Sequence, residues 1–288
     1  MQELFDTQTT LAHRLRALKR ADENALFLMR RAAEDLEDRL SAVGRTFDRA
    51  IALHCFTDHA RDAVSASGKA SETGRIEPDT AFLQRHEGIV MNFGEFSIEP
   101  SSVDLAVSIL SMHEMNDLPG FLIQIRRALM PDGLFLGAFL GTGTLSELRD
   151  SLLTAEIEIY GGTSPRVFPF ADVRDSGALL QRAGLALPVS DVDTVTVRYA
   201  SMFDLIRDLR AMGSTNSLAD RSRRPATRAL FARAAEIYAE RYSDPDGRIR
   251  ATFSIVWLSG WAPAASQQKP LRPGSAQVSL QKILEGNQ

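Results

Sequence analysis

Apolar positions recur near helical spacing over residues 8–42. Leu11, Leu15 and Leu18, then Leu26, Phe27, Met29, Leu36 and Leu40, are separated by charged residues. Such spacing gives each helix one apolar face, so helices are expected within 1–46. Asp22 is placed to cap a second helix there. FDRAIAL (47–53) is the first strand candidate. VDLAVSIL (103–110) and LFLGAFLG (134–141) are near-continuous apolar runs. Runs of this kind suit strands buried on both faces of a parallel sheet. Between them LPGFLIQIRRALM (118–130) sets Phe121, Leu122, Ile125 and Leu129 on one side of a helix. Pro131-Asp132-Gly133 then breaks it as a turn. Residues 57–67, 144–160 and 176–185 read as further helices, the last stopped by Gly184.

The pattern changes near the end. In TVTVRY (194–199) and TFSIVW (252–257) apolar and polar residues alternate, as in half-buried strands. Two helix-like stretches, 201–213 and 224–242, lie between. This reads as a strand pair split by a helical insert. Strands alternating with helices, then a late antiparallel pair, indicate a doubly wound α/β fold. The expected layout is one unit: N-terminal helices (1–46), a Rossmann-like core (47–200), the insert (201–250), then the last strand and a tail (251–288). In such sheets ligands sit beyond the carboxyl ends of the strands.

Composition narrows the class. The 288 residues are 44% hydrophobic, with net charge −4 and a single cysteine, Cys55. No basic run calls for nucleic acid. One cysteine cannot form a disulfide within the chain, which fits a reducing compartment. No apolar run approaches a membrane span. The first twenty residues mix arginines with Glu3 and Asp6 and lack an apolar core for a signal peptide. The expectation is a cytoplasmic protein.

The candidate chemistry is concentrated after the first strand, where the chain reads His54-Cys55-Phe56-Thr57-Asp58-His59. A strand that turns under a nucleotide normally uses glycine there, because glycine permits positive φ and close backbone approach. Either the loop has collapsed and filled its own pocket, or the pocket is of an unusual kind. A zinc site is a third reading, since Cys55/His59 and His54/Asp58 are each four apart. That spacing matches no common zinc pattern, so packed residues are expected and no metal is assigned. His113, Asn116 and Asp117 follow the strand at 103–110, on the ligand edge. They can orient a substrate or supply a base, while Asn116 and Asp117 can equally cap the next helix. Arg149, Arg166 and Tyr160 are further candidates for lining the cleft. The apolar positions of 202–212 are read as the packed face of the insert.

Residues 103–152 carry a resemblance. Ser111, His113, Asn116, Asp117, Leu118 and Pro119, then Pro131, Asp132 and Gly133, then Thr144, Leu145, Glu147, Leu148 and Arg149 match a recurring phrase. It resembles that of the class I S-adenosylmethionine-dependent methyltransferases, and more narrowly the bacterial relatives of mitochondrial complex I assembly factor five. Gly161, Gly162, Ser164, Pro165, Pro169 and Phe170, and Arg182 to Leu185, extend the likeness along nearly the whole chain. It implies a seven-stranded Rossmann-like sheet with an antiparallel last strand. It also implies S-adenosylmethionine as cofactor and work on respiratory complex I assembly, by methylation or by arginine hydroxylation. By the same correspondence the cofactor positions are Ala52, His54, Phe56, Asp58, Asn92 and Ser111, and the catalytic ones His113, Asn116 and Asp117. The family's acidic ribose ligand falls on Glu72 or Glu77. The departures are concentrated at the loop: Ala52 replaces an acid, and His54, Phe56 and Asp58 replace three glycines. Asn92 also replaces an acid, and Glu114 an aromatic. The resulting expectation is a protein of this superfamily with a degraded cofactor loop, acting by binding. Its partner is then a respiratory complex subunit or an active paralogue. The alternative is an active enzyme with an unusual pocket.

Overall fold

The computed structural model describes residues 3–84 and 86–267. The expected tail lies largely outside the described residues. The N-terminal segment forms α1 (Thr7–Arg20), a short 3-10 turn (Glu23–Leu26) and α2 (Phe27–Ser41). Asp6 caps α1 by accepting from the Thr9 N–H, and Asp22 caps the 3-10 turn through the Asn24 N–H. The alternating part runs β1 (Phe47–Leu53), α3 (His59–Ala66), β2 (Ala70–Glu77), α4 (Thr80–Leu83), β3 (Ile89–Val90), β4 (Val103–Ile109), α5 (Leu118–Ala128), β5 (Leu129–Leu140) and α6 (Ser146–Tyr160). It continues with α7 (Val173–Arg182), β6 (Ala186–Tyr199), α8 (Met202–Ala211), α9 (Arg228–Tyr242) and β7 (Ile249–Trp261).

The sheet has seven strands in the order β3-β2-β1-β4-β5-β7-β6. Strands β1 to β5 are parallel, and β7 runs antiparallel between β5 and β6. This is the expected architecture, including the helical insert between the last two strands. One apolar layer lies beneath α2, α3, α6, α8 and α9, and the other beneath α5 and α7. Buried Leu105, Val107, Leu134 and Leu136 face the first layer; Ala106, Phe135 and Phe139 face the second. The two-sided burial explains why these strands read as continuous apolar runs.

Three details differ from the pattern-based expectation. The helix at 118 stops at Ala128, and β5 begins at Leu129 rather than after the turn. Asp132 takes φ +66 inside that strand, and the β4–β5 ladder shifts register there. Strand β2 gave no apolar signal. Its last three residues, Arg75, Ile76 and Glu77, are all buried, but two of them are charged. A pattern that treats charge as surface misses such a strand. Strand β6 starts eight residues earlier than expected, because its exposed edge alternates weakly.

Candidate functional site at the carboxyl edge of the sheet

The carboxyl ends of β1, β2, β4 and β5 open on one edge. The site there has two compartments. The first is where a cofactor would rest, beyond β1 and β2. After Leu53 the backbone keeps a glycine-like course, with His54 at φ +49 and Phe56 at φ +61. A left-handed non-glycine residue costs about 1–2 kcal/mol, so the surroundings must hold both in place. They do. The His54 N–H donates to the Ile76 carbonyl (2.7 Å), and the Phe56 N–H donates to Oε2 of Glu77 (3.0 Å).

The side chains of the loop pack inward. Phe56 is buried, with ring centroids 5.0 Å from Phe82 and 5.5 Å from Phe93. The Arg14 guanidinium lies 5.0 Å over the same ring. His54 is fully buried against Phe93 and Phe121, and Nε2 meets the Glu95 carbonyl at 2.9 Å. Burial holds the imidazole neutral, with its pKa lowered to about 4. Arg75, 1% exposed, ties the loop to β2. It pairs with Glu77 (2.8 Å) and with Asp58, and donates to the Thr57 carbonyl at 3.1 Å. Burial raises Glu77 to about 7, against the pull of Arg75. Glu77 is the last residue of β2, at the carboxyl edge, whereas Glu72 lies exposed near its start.

The remaining cofactor candidates are structurally committed. Ala52 is buried in β1. Asn92 donates from its amide to Glu95 at 3.0 Å. The Ser111 hydroxyl meets that of Ser108 at 3.3 Å, and Ser108 donates to the Leu53 carbonyl. The loop residues do not converge as metal ligands. Cys55 points its sulfur at the Leu53 carbonyl and His59 contacts the Thr57 hydroxyl. Among the described residues no group of three or more His, Cys, Asp or Glu could hold a metal ion.

The second compartment is open. A cavity of about 770 Å³ lies beyond β4 and β5, within the usual range of ligand pockets. Leu110, Leu140, Leu145 and Leu148 form its floor, and Phe168 and Phe170 one wall. His113 also lines it, its ring 6.0 Å from that of Phe170. His113 is buried and its Nδ1 has no hydrogen-bond partner. Burial, helped by Arg14, lowers its pKa to about 3, so the imidazole is held neutral. Asn116 and Asp117 are placed elsewhere. Asn116 accepts from the Leu4 and Phe5 N–H groups and donates to the Phe5 carbonyl, so its side-chain amide ties down the N-terminal segment. Asp117 caps α5 through the Gly120 N–H at 2.8 Å. Of the three added candidates, Arg166 lines the cavity, Arg149 donates to the Phe168 carbonyl, and the Tyr160 hydroxyl meets Thr227.

The share of the roof that comes from the N-terminal helices was not foreseen. Helices α1 and α2 cover the cavity together with α8; its Ile206 and Leu209, and Met212 just beyond its end, line the cavity rather than only packing. Arg14, in α1, forms a buried ion pair with Glu114 and donates to the Met212 carbonyl at 3.0 Å. Gly213 permits this approach: at φ +74, a Cβ there would stand 3.0 Å from the Arg14 Cα. The one sequence signal was Glu114 itself, a carboxylate in place of an aromatic, which needs a buried cation.

The seven-stranded topology, with the site at the carboxyl edge, is that of the class I S-adenosylmethionine-dependent methyltransferase superfamily. Residues 63–137 match the methyltransferase domain family. A candidate methyltransferase from Bacillus halodurans superposes with a TM-score of 0.55, covering 80% of this chain and 100% of its own at 12% identity. Among curated proteins, the mitochondrial arginine-hydroxylase NDUFAF5 of Danio rerio is 38% identical over 88% of this chain and 81% of its own. The chain therefore belongs to the NDUFAF5 family. A malonyl-[acyl-carrier protein] O-methyltransferase of Halorhodospira halophila is 28% identical over 92% of this chain and 91% of its own. Among the described residues no helix is long and apolar enough to cross a membrane.

Proposed function

We propose that this chain is a member of the family whose cofactor position is filled by its own side chains, and that it acts by binding, in the manner of an assembly factor. The observation that carries this reading is the burial of Phe56, wedged among Phe82, Phe93 and Arg14. These residues do not fit S-adenosylmethionine. The glycine-like turns at His54 and Phe56 carry side chains into the space that a cofactor needs. Glu77, the natural partner for a ribose hydroxyl, already accepts from Arg75 and from the Phe56 N–H. Ala52 offers no carboxylate to the cofactor's polar tail. Its absence removes a charge-assisted hydrogen bond of about 1.5–3 kcal/mol, from the roughly 8 kcal/mol that micromolar binding needs. By family resemblance the partner is a respiratory complex subunit or an active paralogue.

Titration calorimetry with S-adenosylmethionine and its demethylated product tests this reading. No saturable heat is expected at about 10 μM protein, and Phe56→Gly should restore little, since Ala52 and the Arg75 network remain. Micromolar binding by the wild type would sink the proposal. The second reading, an active methyltransferase or arginine hydroxylase, is favoured by the open cavity beside His113. Wild-type cofactor binding would put it ahead. Against an arginine side chain as its substrate stands the lining of that cavity, which contains no carboxylate.

A further inference from the structure

The charge around the cavity mouth is one-sided. Arg16, Lys19 and Arg20 come from the last turns of α1, and Arg210 from the last turn of α8. All four are exposed, and none forms an ion pair among the described residues. One cation at the end of each helix would satisfy the helix dipole. Four of them, around a cavity without Asp or Glu in its lining, are a surplus. Behind this rim the walls are aliphatic and aromatic down to Leu110 and Leu140. There His113, more than nine-tenths buried, leaves Nδ1 unpaired.

An apolar cavity behind a basic mouth is complementary to one kind of molecule. We propose that it binds an anionic amphiphile: a long alkyl or acyl chain in the cavity, with a carboxylate or phosphate head held by Arg20, Arg210 and their neighbours. A neutral His113 can stand beside an apolar chain at little cost. The head remains near water, where arginine binds carboxylate and phosphate through paired donors. This inference does not depend on whether the cofactor compartment is filled.

The test uses the full chain and four twelve-carbon probes below their micelle concentrations: dodecanoate, dodecyl phosphate, dodecanol and dodecyltrimethylammonium. Binding is read by calorimetry, with octanoate and decanoate as shorter comparisons. Each added methylene should tighten carboxylate binding about fourfold. Dodecanoate or dodecyl phosphate should bind at least about tenfold more tightly than dodecanol or the ammonium compound, as expected for charge-assisted bonds. Whichever anion binds more tightly identifies the head group. In Arg20→Glu/Arg210→Glu, at two exposed positions, the preference should pass to the ammonium probe. Equal binding of all four probes, affinity independent of chain length, or no binding of either anion would overturn the proposal. The wild-type comparison stands without any variant.

Discussion

Replacing Arg75 by Met probes the joint between the loop after β1 and the end of β2. Methionine keeps much of the arginine stem's volume, but removes the cation between Glu77 and Asp58 and the bond to the Thr57 carbonyl. Glu77 is fully buried and would lose the cation it pairs with. Breaking a buried pair in this way costs about 3–5 kcal/mol. For a protein of this size the melting temperature should fall by roughly 6–20 °C. The sign with pH follows from Glu77. Burial raises its carboxyl to about 7 with Arg75 present, and Arg75 is a lowering influence. Without Arg75 the carboxyl rises further, so at pH 5.5 it is neutral in both proteins. There only the lost bonds to Asp58 and Thr57 separate them. As pH rises through 7 the wild type keeps an ionised, paired Glu77, whereas the variant must ionise it unpaired or hold a proton. The stability gap should therefore be wider at pH 8.5 than at pH 5.5. Urea unfolding monitored by circular dichroism at both pH values measures it. Arg75→Met/Glu77→Leu should recover much of the loss at pH 8.5. A gap of under about 1 kcal/mol, or one that does not change with pH, or a double variant no better than the single, would refute the role assigned to this buried pair.

The buried histidines should set the acid limb of stability. His54 and His113 have folded pKa values lowered to about 4 and about 3, so their contribution is present above 6.5 and is lost as pH falls. Glu77 acts oppositely, since its raised value gives a contribution that is lost as pH rises through about 7. Glu114, also raised by burial, acts with Glu77, while His13 and His59, both lowered, act with His54 and His113. Four histidines then oppose two buried acids between pH 6.5 and 4.5, so stability should fall on acidification, and a urea midpoint that rises over that range would contradict this balance. Cys55 is fully buried and burial pushes its thiol up to about 12. Ellman's reagent at pH 8 should react only after unfolding; stoichiometric labelling of the native protein would mean that the loop after β1 opens freely.

The sequence by itself determined the sheet's interior. VDLAVSIL and LFLGAFLG are buried on both faces, and burial of that kind leaves a continuous apolar run that can be read without neighbours. The alternation of β6 and the helices after it were legible for the same reason: their periodicity follows from local geometry. TFSIVW alternates as well, yet Phe253 to Leu258 are all buried, because β7 lies between β5 and β6 instead of at an edge. The departures at Ala52, His54, Phe56 and Asp58 were visible too, because glycine at such turns has a backbone reason that other residues lack. What the sequence did not determine was where charges end up. Arg75 and Glu77 hid a strand, Glu72 and Glu77 stood as equal candidates, and Arg14 looked like one more cation on a solvated helix. Each was decided by a partner distant in sequence: Asp58 for Arg75, Glu114 for Arg14, the N-terminal backbone for Asn116. The cavity belongs to the same class. Its floor comes from the turn after β4, from β5 and from the start of α6, and its roof from α1, α2 and α8, segments up to about two hundred residues apart. Periodicity records which face a residue presents. Only the packing of helix on sheet settles what that face meets.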